Sequence, residues 1–107
     1  MKGITTVRAG ICGKTTVSSA EFDEKTGLCT LHIITDCPHF QKVVDKLDGA
    51  SVNPAEEFAW DTSKIHAAMR ETCSHTACPV PAGIVKAVQV ASGKKGAADA
   101  SISVRAE

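Results

Sequence analysis

Tyrosine is absent, and the only aromatic residues besides histidine are three Phe and one Trp. So few stacking platforms argue against recognition of unpaired bases. A surplus of either charge is also missing. Twelve Lys and Arg are balanced by 12 Asp and Glu, for a formal net charge of zero. Without a basic footprint there is nothing to neutralise a phosphate backbone, so nucleic acid is not an expected partner. No apolar run approaches the ~20 residues that span a bilayer, so no membrane partner is expected either. The opening MKGITTVRAGICG lacks the apolar core of a signal peptide. These absences together lead to the expectation of a cytoplasmic protein. No phosphate-cradling glycine loop, Ser/His/Asp arrangement or paired-carboxylate site stands out, so nothing marks the chain as an enzyme.

Cysteine, by contrast, is plentiful: five in 107 residues. In a reducing compartment thiols stay reduced, and an odd number does not make a disulfide framework. They read better as ligands or reactive thiols. The chain length suits one domain, residues 1–107, with a single modest core.

Ile4 to Cys12 and Thr15 to Phe22 are rich in Thr, Val and Ile and flank the short turn Cys12-Gly13-Lys14, which predicts a hairpin. A second turn, Asp23 to Gly27, leads to a strand over Leu28 to Thr35, with Cys29, Leu31 and Ile33 on its core face. Asp36-Cys37-Pro38 then opens a helix, with Pro38 at the first helical position. Phe40, Val43, Val44 and Leu47 fall on one stripe and Gly49 stops it. Asn53-Pro54-Ala55-Glu56 has the cap, proline and acidic residue of a helix start. Phe58 and Trp60 are expected to cover an edge of the core. A helix capped by Asp61 or Thr62 runs through Arg70, with Ile65, Ala68 and Met69 inward. After a loop over Thr72 to Cys78, a helix extends from about Pro81 to Ser92 with Ile84, Val85, Val88 and Ala91 on its apolar side. Ala100, Ile102, Val104 and Ala106 alternate with Ser101, Ser103, Arg105 and Glu107, which predicts a C-terminal strand. The fold class expected is α+β: a mainly antiparallel sheet of three N-terminal strands plus the C-terminal strand, with three or four helices packed on one face.

Three cysteines lie at junctions between elements. Cys12 sits in the turn Gly10-Ile11-Cys12-Gly13, where small neighbours let the backbone approach a bound group closely. Cys37 and Cys78 each precede a helix and a proline. The positive end of a helix stabilises a thiolate, the better ligand and the better nucleophile. His39 follows Cys37 by two residues and His75 precedes Cys78 by three, so each pair joins a thiol to an imidazole. Cys29, mid-strand on the apolar face, reads as a core residue, and Cys73 as a fourth ligand, a resolving thiol or a bystander. His32 and His66 have no cysteine neighbours and read as structural. The spacing contains no C-x2-C pair and no ferredoxin run, so it matches neither a zinc knuckle nor a ferredoxin. It is three thiols on three elements, a site that exists only in the folded chain.

That layout resembles the IscU/NifU-type iron–sulfur scaffold, in which three cysteines lie after the first strand of a hairpin, at the start of the helix following the sheet, and at the start of a late helix. Ile11-Cys12-Gly13 matches the first by position and by its Cys-Gly pair, and Asp36-Cys37-Pro38 matches the second by position. HTACPVPAGIVKA, His75 to Ala87, loosely resembles the last helix. Lys14 stands where the scaffold has an acidic residue. The blocks GICG (Gly10 to Gly13), DCPH (Asp36 to His39) and HTACPVPAGIVKA also resemble a family of small uncharacterised proteins from anaerobic microbes. That resemblance implies Cys12, Cys37, Cys78, His39 and His75 as recurring polar positions and brings no activity with it.

The function expected is an iron–sulfur cluster or metal-binding protein with Cys12, Cys37 and Cys78 as thiolate ligands. His75 is the first choice for a fourth position and His39 the second. Cluster assembly, delivery or redox sensing would follow, with a protein partner for cluster transfer or redox. The alternatives are a structural zinc-binding interaction module using the same residues, and a metal-free thiol redox protein in which Cys37 or Cys78 attacks and Cys73 resolves.

Overall fold

The β-branched N-terminal third folds as the alternation demands. The computed structural model describes residues 1–9, 12–72 and 75–107. Strands β1 (Lys2–Arg8), β2 (Thr15–Asp23) and β3 (Leu28–Thr35) form an antiparallel meander. The register stacks Gly3, Ala20 and Leu31 in one row and Thr5, Ser18 and Ile33 in the next. Because side chains alternate across a strand, these rows share one face. On it Ala20, Cys29, Leu31 and Ile33 are buried. The opposite face, with Ile4, Thr6, Ser19 and Ile34, meets solvent or is only half covered.

Helices cover the first face only. α1 (Gln41–Leu47) lies over β3, while α4 (Val80–Ala91) crosses β1 and β2. α2 (Pro54–Glu57), a single turn, and α3 (Lys64–Thr72) pack against α4. Phe40, Val43, Leu47, Ile65, Ile84 and Val88 fill the space between the layers. The β1 side of that space is thin, because the inward residues there are small. Thr5 Oγ1 donates to the Gly83 carbonyl at 2.9 Å. A Cβ at Gly3 would collide with the Ala87 carbonyl, so helix and strand backbones touch.

The α+β architecture is the one expected: among the described residues, a four-stranded antiparallel sheet with four helices on one face. The fourth strand is not the expected one. The chain leaves α1 through Asp48 and Gly49, the latter at φ +79°, and turns back along β3. Asp48 Oδ1 accepts from Ile33 N at 2.9 Å, Gly49 N donates to Leu31 O at 2.7 Å, and Leu31 N donates to Ala50 O at 2.9 Å. The two-residue strand β4 (Ser51–Val52) continues that edge, opposite Cys29 and Thr30, so the order is β1-β2-β3-β4. Residues 97–107 form no strand, and Ile102 and Val104 are 79% and 88% exposed. Alternation there marks strand-forming capacity, but a strand exists only when an edge receives it.

Three local expectations also give way. Pro38 does not open α1: Cys37 to Phe40 make a turn, closed by Phe40 N donating to Cys37 O at 3.1 Å, and the helix starts at Gln41. Phe58 and Trp60 are exposed rather than a cover for the core, and Trp60 lies edge-on to His66 with ring centroids 4.7 Å apart. α3 starts after Ser63, not after Asp61 or Thr62, for a reason given below. Asn53 caps α2 as expected, its Oδ1 accepting from Ala55 N at 3.0 Å with Pro54 at the first position.

Candidate metal site at one end of the sheet

In an antiparallel meander, the end of β1, the start of β2 and the end of β3 lie together. Here these are Arg8, Thr15 and Thr35, since Arg8 pairs with Thr15 and Thr16 with Thr35. Cys12 lies in the β1–β2 loop at this end. Its thiol is exposed and lies 3.7 Å from the Ala9 carbonyl, and the loop is closed by Ala9 N donating to Lys14 O at 3.0 Å. Gly13 takes φ +66°, which gives this turn its sharpness.

Cys37 follows β3 at the same end. Asp36 fastens it to the hairpin: its Oδ1 accepts from Thr15 N at 2.7 Å, and its own N–H donates to Thr15 O at 3.2 Å. Cys37 N donates to Thr35 Oγ1 at 3.1 Å, and that hydroxyl meets Thr16 Oγ1 at 2.8 Å. The thiol is half-buried against the core. Cys78 reaches this end from the other layer. Gly83 packs over Val7 and Thr5, so the first turn of α4 stands above the far end of β1. Cys78 precedes Pro79, the N-cap of α4, and is half-buried against the core. Its N–H donates to His75 O at 3.2 Å.

The two Cys-Pro turns are neighbours. The His39 and His75 rings stand edge to face with centroids 5.7 Å apart, both exposed. The topology therefore brings Cys12, Cys37, Cys78, His39 and His75 to one end of the molecule, with the imidazoles in contact. It does not close them into one coordination shell. Among the described residues, no group of three or more His, Cys, Asp or Glu is placed to hold a metal ion. Cys37 is not held by a helix end as expected, since three residues separate it from α1, whereas Cys78 lies next to the N-cap of α4 as expected. Cys73 and Ser74, like Gly10 and Ile11, lie outside the described residues. Cys29 is fully buried mid-strand, and burial pushes its thiol up from the ordinary value, as befits a core residue. His32 is exposed on the open face of the sheet, 3.9 Å from Asp48.

A second polar constellation went unread in the sequence. Glu57 and Ser63 are each only 2% exposed. Glu57 Oε1 accepts from Ser63 Oγ at 2.9 Å and from Ile65 N at 3.1 Å, while Oε2 accepts from Lys64 N at 2.9 Å. Ser63 Oγ in turn accepts from His66 N at 3.2 Å and lies 3.0 Å from His66 Nδ1. Serine, histidine and glutamate meet here, but not in the order a nucleophile needs. The Ser63 hydroxyl donates its hydrogen bond to Glu57, and the carboxylate is otherwise spent on helix N–H groups. The arrangement caps α3 and fixes its start at Lys64. The signal available was a glutamate six residues ahead of a serine.

A known family covers almost the whole of this architecture. The sequence matches the family of unknown function DUF6951 over residues 4–104. The chain belongs to DUF6951. No curated protein and no solved structure matches the chain. DUF6951 thus brings no activity to test against the site, and the chemistry rests on the residues. Within the matched span of this DUF6951 chain lie both Cys-Pro turns, the hairpin loop and the C-terminal segment through Val104. None of its described helices is long and apolar enough to cross a membrane.

Proposed function

We propose that this end of the sheet binds a soft metal centre, with an iron–sulfur cluster as the first reading and Cys12, Cys37 and Cys78 as its thiolate ligands. What carries the reading is the meeting of the two Cys-Pro turns, seen in the 5.7 Å contact between His39 and His75, at the same sheet end as the Cys12 loop. Thiols drawn from a hairpin loop, a strand end and a helix start suit a site completed by the ligand. His75 is the preferred fourth ligand and His39 the second. Three thiolates and one exchangeable ligand suit delivery of a cluster to a protein partner or redox sensing, as in the IscU/NifU-type scaffold that the layout resembles.

The paired imidazoles favour one second reading. Two thiolates, Cys37 and Cys78, with two imidazoles, His39 and His75, would supply the Cys2His2 set of a structural zinc site once a metal drew them together. Iron, acid-labile sulfide and zinc, measured with a visible spectrum on the chain purified without oxygen, separate the two. A brown protein with iron and sulfide, bleached in Cys78→Ser, supports the cluster. A colourless protein with stoichiometric zinc supports the second reading. A protein with no metal, and none taken up from excess iron and sulfide or zinc, overturns both and turns attention to thiol redox chemistry.

A further inference from the structure

Residues 97–107 carry an alternating pattern that pairs with no strand among the described residues. Ile102 and Val104 point into solvent at 79% and 88% exposure. The segment is no appendage to the family, since the DUF6951 match runs through it to residue 104. The sheet has the complementary vacancy. β3 is finished by Asp48 to Val52, but β1 is the outermost strand at the other side, and its outer edge meets no strand among the described residues. Lys2 and Arg8 place a charge at each end of that edge, and the five residues between them, Gly-Ile-Thr-Thr-Val, carry no charge or proline to blunt it. Lengths agree as well. At about 3.3 Å per residue, seven paired residues of the tail would run the length of β1.

The occupant is argued from where the tail leaves. α4 lies antiparallel to β1, with Gly83 over Val7 and the Ala87–Ala91 turn over Gly3, so the tail departs at the Lys2 end. A tail folding back onto its own β1 would have to pair parallel, the less stable ladder, and in the monomer it does not do so. A tail arriving from another molecule is not bound to that direction. Around α4, at about 100° per residue, the strip beyond Gly83 and Ala87 on the edge side carries half-buried Val90 and the stem of Lys86. An inward Ile102 and Val104 would meet that strip.

We infer that two copies of this chain exchange their C-terminal segments, residues 100–106 of each pairing antiparallel with β1 of the other in a closed twofold dimer. The test is sedimentation velocity of the full chain over a wide concentration range. The comparison variants are Ile102→Asp/Val104→Asp and, as a control on the open sheet face, Ile34→Asp. The expected result is a dimer for the wild type and for Ile34→Asp, with dimer affinity weakened at least about a hundredfold in the tail variant, since two buried apolar side chains are lost from each of the two tails. Because Ile102 and Val104 are exposed in the single chain, the variant stays folded, which circular dichroism checks. A wild type that stays monomeric, or a tail variant that dimerises as tightly, overturns the inference. So does a monomer whose tail amides between Ala100 and Arg105 resist hydrogen exchange, because the tail would then be closing on its own β1.

Discussion

Removing the Glu57 carboxylate leaves the half-buried Lys64 N–H and the buried Ile65 N–H without their acceptor. Glu57→Ala is therefore expected to destabilise the chain by about 2–4 kcal/mol, the combined cost of a lost cap and an unsatisfied buried donor. Glu57→Gln keeps the shape and one acceptor oxygen and should cost less. Urea denaturation midpoints for the two variants and the wild type check the order, and equal midpoints would show that the carboxylate is not the cap. A second expectation at this scale concerns the thiols. Burial raises the Cys29 pKa and closes off access, whereas Cys12 is exposed. With iodoacetamide at neutral pH, mass spectrometry should find Cys12 modified early and Cys29 untouched until denaturant is added. The role of Cys29 was legible in the sequence because a period of two settles which face a residue occupies. The Glu57 cap was not, because its acceptor comes from the preceding helix, through a loop whose path no local pattern specifies.

The close approach of α4 to β1 is the interaction between elements with the most to lose. A Cβ at Gly3 would strike the Ala87 carbonyl, a backbone atom that cannot turn aside, while a Cβ at Gly83 would strike only a methyl of Val7. Gly3→Ala is thus expected to cost about 1–3 kcal/mol by overpacking, and more than Gly83→Ala; thermal denaturation of the two variants ranks them. α1 and α3 are joined on the surface by Lys46 and Glu71, 2.5 Å apart. The hydrogen bond from the Lys46 ammonium, and then its charge, hold the Glu71 carboxyl below the usual range. A depressed folded-state pKa means that the contribution is present above the unfolded value and is lost as pH falls through the folded one. The pair is exposed, so the readout is an NMR titration of Glu71, which should move up in Lys46→Met. Elements with a clear period were readable before folding: β3 spans Leu28–Thr35 as expected, and Phe40, Val43, Val44 and Leu47 are all buried. β4 was not, since two residues carry no period. The C-terminal segment carried a period and misled, because strand pairing depends on an edge elsewhere in the molecule.

At the scale of the molecule, the candidate ligands and the junctions they occupy were legible in the sequence, but not their convergence. That follows only from the meander, which puts the β1–β2 loop and the end of β3 together, and from the lie of α4, which carries Cys78 to the same end. The two metal readings differ in whether the hairpin loop takes part. If Cys12 is a ligand, the metal must draw the loop toward the turns at Cys37 and His75, because the described residues do not already form a shell. Hydrogen exchange compared with and without metal should then show new protection at Lys14 and Thr15 as well as at His39 and Cys78. The Asp23 to Leu28 turn at the opposite end should be unchanged. Cys12→Ser should abolish the protection and the colour together. If the centre is zinc held by Cys37, Cys78, His39 and His75, Cys12→Ser should bind metal as the wild type does and the hairpin should exchange at the same rate in both states. In either case, metal at a thousand times its dissociation constant should add about 4 kcal/mol to stability, and a chelator should remove it. A melting temperature indifferent to metal and to chelator would leave the two histidines as surface neighbours and the three cysteines as separate residues that share one end of a sheet.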